Sequence, residues 1–187
     1  MTRLESILSG IINAKRVYRD NAANEVLSNP ELIEELIMLA LNSSSLFQIK
    51  AAWILELVFL AKPNIISPYL DYFCTGLKSV KNESALRSIS KICRGIVSKK
   101  NENQPNFILT TTQKERIVEA SFDWLISDRK TATQAFAMDS LYFLSNEFTW
   151  IKDNLREILQ KDIPLKSPGY VSHARMILAK LEKEQKQ

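Results

Sequence analysis

The stretch Ala51-Ala52-Trp53-Ile54-Leu55-Glu56-Leu57-Val58 decides the fold. Within it Ala51, Leu55 and Val58 recur at i, i+4 and i+7, which places them on one face of an α-helix. The pattern returns as Ala85/Ile89/Ile92, Ala137/Leu141/Leu144 and Ala174/Leu178/Leu181. The anchor alanines lie 34, 52 and 37 residues apart. Helical units repeating every ~34 to 47 residues are the mark of an α-solenoid. The longest interval fits because a polar stretch, Lys99 to Thr112, lies inside it. A small residue has a reason to recur there. Stacked helices approach to about 8–10 Å between axes, and alanine at the crossing permits it.

Composition agrees with long helices. The chain of 187 residues has 45% apolar residues but only 4 Gly and 6 Pro, so it is poor in turn formers. That length suffices for one domain with a sizeable core. The net charge of +4 hides an asymmetry. Lys78 to Lys100 holds seven basic residues and one acid, Glu83. The two cysteines, Cys74 and Cys93, are expected on consecutive antiparallel helices at heights differing by roughly 8 Å. A disulfide needs Cα atoms within about 7 Å, so two reduced, buried thiols are expected, as suits a cytoplasmic protein. The N-terminus carries an early Glu5 and no signal-peptide pattern, and no apolar run is long enough to span a membrane.

Outward from the repeats, Leu4, Ile7, Leu8, Ile11 and Ile12 form a helical stripe, and a second helix runs from Ala14 to Leu27. Residues 1–28 are therefore expected as N-terminal capping helices. Pro30 opens the next helix, with Glu31, Glu34 and Glu35 near its positive end. Ser45 and Gln48 have the spacing of a capping box for the helix that carries Ala51. Lys62-Pro63-Asn64 breaks the chain. Helix pairs are expected over 30–61, 65–98, 112–146 and 149–184, with a loop from Lys99 to Thr110. The closing KLEKEQKQ is polar all round, as expected where a stack meets water. The fold expected is all-α: an α-α superhelix, a right-handed stack of about four antiparallel helix pairs behind the N-terminal helices.

The spacing of the alanine-anchored segments resembles the second helices of HEAT and armadillo repeats, over Pro30 to Lys183. That resemblance implies a scaffold that binds along a groove lined by second helices. The chain also resembles short helical-repeat proteins that are sometimes labelled adenylosuccinate lyase. Ser44, Ser45 and Lys50 match the S-S-x-M-P-x-K-x-N loop of that superfamily, whereas Phe47, Gln48 and Ala52 replace its Met, Pro and Asn. The superfamily's sites use more than one histidine and this chain has one, His173, so no lyase activity is expected. A looser similarity is to HEAT-like DNA glycosylases, which use an aspartate and tryptophans in a basic groove. Asp123, Trp124, Asp139 and Trp150 are the residues here that carry it. Trp53, Trp124 and Trp150 also read simply as core residues.

The main surface signal is basic. Arg87, Lys91 and Arg94 stand at i, i+4 and i+7 on one helix face, with Lys99 and Lys100 at its end. These five residues are the candidate binding site, for phosphate groups or an acidic protein surface. The same run also reads as an ordinary solvated face. A functional site would need the three to be exposed and free of structural ion pairs. No aromatic residue interleaves them, which favours a protein partner over nucleic acid. No P-loop, zinc-finger, dinucleotide or GxSxG motif occurs, so no catalytic residue, metal or cofactor is expected. The function expected is a non-enzymatic protein-binding scaffold.

Overall fold

The computed structural model describes residues 1–98 and 107–185. Among the described residues there are ten α-helices and no strand. They are α1 (Arg3–Ser9), α2 (Arg16–Leu27), α3 (Ile33–Leu41), α4 (Gln48–Ala61) and α5 (Leu70–Gly76). After these come α6 (Glu83–Val97), α7 (Thr111–Ile126), α8 (Thr131–Leu144), α9 (Trp150–Asp162) and α10 (Pro168–Gln185). Short 3-10 turns at Pro30–Leu32, Pro63–Tyr69 and Leu77–Ser79 flank α3 and α5.

The helix starts have local causes. Thr2 and Glu5 form a capping box, as do Thr110 and Gln113. The Asn82 side chain accepts from the N–H groups of Ser84 and Ala85 and so fixes the start of α6. The expected box at Ser45 and Gln48 does not form. Ser45 Oγ accepts instead from the Phe47 N–H at 3.1 Å, and α4 begins only at Gln48. The serine lies too far ahead of the first turn to cap it. The Gln48 side chain is buried, with its Nε2 unpartnered. A second difference is Ile12, which is exposed because α1 stops at Ser9.

Ala51, Ala85, Ala137 and Ala174 are all fully buried, and they fall on α4, α6, α8 and α10. Those four helices are neighbours in that order, with α2 packed on the outer side of α4. Packing of α3 on α5 and of α5 on α7 repeats the order beside them, and α3 and α7 pack on α4 and α8. The crossing of α4 and α6 is close enough to need a residue without a Cβ at Gly95: a Cβ built there would overlap the Phe59 ring. Cys74 and Cys93 are buried free thiols. Burial raises both, Cys74 to about 12, so neither ionises near neutral pH. Among the described residues no helix is long and apolar enough to cross a membrane.

Candidate binding surfaces

The register of α6 separates its two faces. Ala85, Leu86, Ile89, Ile92, Cys93 and Ile96 are buried, which leaves Arg87, Lys91 and Arg94 toward the surface. The three cations are not free, contrary to what an unencumbered basic site would need. Each meets an acid from a neighbouring helix, because the helices stack closely enough for α4 and α8 to flank α6.

Glu56 of α4 is the first of these acids. Its side chain is only 9% exposed. It accepts from Lys91 Nζ at 2.6 Å and from Ser88 Oγ at 2.6 Å, and Arg87 Nη1 stands 3.8 Å away. Burial by itself would raise its pKa. The hydrogen bonds from Lys91 and Ser88 and the charges of Lys91 and Arg87 outweigh burial and hold the carboxyl below its ordinary value. Asp139 of α8, with its side chain 8% exposed, is the second acid. Arg94 Nε pairs with Oδ2 at 2.8 Å and His173 Nε2 of α10 reaches Oδ1 at 3.0 Å. The Arg94 guanidinium also lies over the Phe136 ring, 5.7 Å from its centroid. A strip of alternating charge thus runs from α4 through α6 and α8 to α10.

Arg87 is the least committed member. It is about half exposed, at 48%, and its distance to Glu56 exceeds a hydrogen bond. The remaining surplus of the basic stretch is also partly met. Lys78 pairs with Glu119, whereas Glu83, the one acid of the stretch, is taken up by Arg129 from outside it. Lys99 and Lys100 lie outside the described residues. Glu56 and Ser88 were missed as members of the site. The available signal was a lone acid in the otherwise apolar run Ile54 to Phe59. A charge in such a run has to find a buried partner.

A second surface lies beside α7. Trp150 is 52% exposed rather than in the core, and it stacks on Phe122 at 5.7 Å between centroids. With Phe148 they line a groove of about 360 Å³ whose walls include Glu115, Glu119 and Asp123. Asp123 and Trp150 therefore share one groove, but it is acidic. Trp124 is buried, and Asp139 belongs to the charged strip on α8. Trp53 is half-buried under the Arg19 guanidinium. Ser44 and Ser45 take part in a turn before α4, their contacts being Ser44 N–H to Asn42 and Phe47 N–H to Ser45. Among the described residues no group of three or more His, Cys, Asp or Glu side chains is placed to hold a metal.

Comparison with protein-family models, with curated proteins and with solved structures finds no match to this chain.

Proposed function

We propose that this chain is a non-enzymatic helical-repeat scaffold of HEAT or armadillo type, a superhelix of helix pairs that binds a protein partner. The fourfold alanine pattern supports the architecture, since its four buried anchors fall on four successively packed helices. The observation that carries the binding role is the strip on α6. Two buried carboxylates hold Lys91 and Arg94 in place, and Arg87 stands beside them with guanidinium donors left over. The partner this fits is a protein carrying carboxylates, with Arg87 as the residue that meets them and the strip setting specificity more than affinity.

The nucleic-acid alternative gains no matching observation. The groove that holds Asp123 and Trp150 has Glu115 and Glu119 beside them, which opposes a phosphate backbone. Affinity capture followed by direct titration of the captured protein tests the reading. Arg87→Ala should weaken binding, more at low salt than at high salt, because an exposed charge acts over roughly 8 Å at physiological ionic strength. Unchanged binding by Arg87→Glu, or a wild type that captures only nucleic acid, would overturn it.

A further inference from the structure

The acidic aromatic groove on α7 is independent of the strip on α6, and it has its own electrostatic signature. Glu115, Glu119 and Asp123 follow one another at i, i+4 and i+8, so they share one face of the helix. Like charges at that spacing destabilise a helix, and among the described residues Glu119 alone has a cation to offset it, Lys78. Glu115 and Asp123 have no ion pair among the described residues, and both are exposed. Next to these acids the chain leaves a tryptophan half in water. Trp150 is backed by Phe122, which orients its ring beside the groove. At about 360 Å³ the groove falls within the size range of side-chain and ligand sites, roughly 300–1,000 Å³.

An apolar floor with unpaired carboxylates at its rim selects one kind of occupant. A neutral apolar segment would bury Glu115 and Asp123 against nothing, and an acidic one would be repelled. We propose that this groove is a docking site for a protein segment that presents a lysine or arginine next to a bulky apolar residue. The apolar side chain would pack on Phe122 and Phe148. The cation would lie against the open face of Trp150 and between the carboxylates of Glu115 and Asp123, where cation–π attraction and charge act together.

The test is calorimetric titration of the full chain with a short synthetic peptide of alternating lysine and leucine. Two control peptides replace lysine by glutamate, or leucine by serine. The lysine-leucine peptide should bind and both controls should fail. Trp150→Ala should weaken binding by about tenfold, the scale of a desolvated cation–π contact. Glu115→Gln with Asp123→Asn keeps the shape of the groove and should weaken it several-fold, with a shallower dependence on salt. Arg87→Ala should leave peptide binding unchanged, so the outcome here is separate from the role of α6. Equal binding by wild type and by both groove variants would overturn the proposal, as would no binding by wild type. Dimerisation that Trp150→Ala abolishes, without peptide binding, would assign the groove to a second copy and likewise overturn it.

Discussion

Lys91 Nζ lies 2.6 Å from Glu56 Oε1, and this contact joins α6 to α4 through a carboxylate that is almost wholly removed from water. The two residues are unequal. Removing the lysine strands a buried charge, whereas removing the more exposed Arg87 strands nothing. Lys91→Ala should therefore cost about 3 kcal/mol, toward the lower end for a broken buried pair. Arg87→Ala should cost about 0–1 kcal/mol. Urea denaturation of the two variants side by side checks the contrast, and equal losses would contradict it.

Glu56 also makes stability depend on pH in a stated direction. Its folded-state pKa lies below the ordinary value of 4.5, so the folded protein holds the proton less tightly than the unfolded chain does. The stabilisation is present in full above that ordinary value and is lost as pH falls through the lowered folded value. Glu56→Gln should therefore narrow the gap in Tm to wild type as the pH is lowered below about 4.5. A gap that widens on acidification would reverse the sign assigned here.

Arg94 and Asp139 form a second pair across α6 and α8. A double-mutant cycle with Arg94→Ala and Asp139→Asn should give a coupling of about 0.5–3 kcal/mol. The same cycle between Arg94 and Asp123 should give close to none, since Asp123 lies in the groove beside Trp150.

Gly95→Ala sets two effects against each other. Alanine is better than glycine inside a helix by about 0.8–1 kcal/mol. The new methyl would overlap the Phe59 ring, and overpacking of this kind costs about 1–3 kcal/mol. The net change should be destabilising, and Phe59→Leu in the same chain should recover part of it. Thermal melts of the single and double variants decide this.

Ala137→Leu probes the repeat itself. Ala137 is fully buried on α8, where α6, α7 and α10 all pack. The larger side chain should cost about 1–3 kcal/mol. A neutral result would place the crossing elsewhere on the helix.

Much of the helical order was legible because it rests on local rules. Alanine followed by branched residues at i+4 and i+7 marked α4, α6, α8 and α10, and the anchors are buried there. Pro30 was legible as a helical start, where a missing N–H costs nothing, whereas Pro63, read as a break, also opens a helical turn. The Ser45–Gln48 spacing misled because a capping box needs the serine at the cap itself, and the turn through Phe47 sets α4 two residues later than the Leu46 start implied by that box. The charged strip was half legible. The i, i+4, i+7 spacing put Arg87, Lys91 and Arg94 on one face, but their partners stand 31, 35 and 45 residues away in sequence. No local rule reaches that far. Trp150 was read as core for a similar reason. Hydrophobicity says that a tryptophan prefers burial, but not whether a neighbour is there to cover it.

The alternation of charge along the strip has a consequence for how the chain finds its order. Four helices with nearly interchangeable alanine-and-leucine faces invite stacking out of turn, since the apolar contacts alone would tolerate it. Glu56 on α4 and Asp139 on α8 remove that freedom. If α4 stacked directly on α8, two dehydrated carboxylates would confront each other with no cation between them. Only α6 brings bases to both sides at once, through Lys91 toward one neighbour and Arg94 toward the other. The sequence of helices in space is thereby written as a sequence of signs, acid, base, acid, and a shuffled arrangement reads as a misprint that costs several kcal/mol.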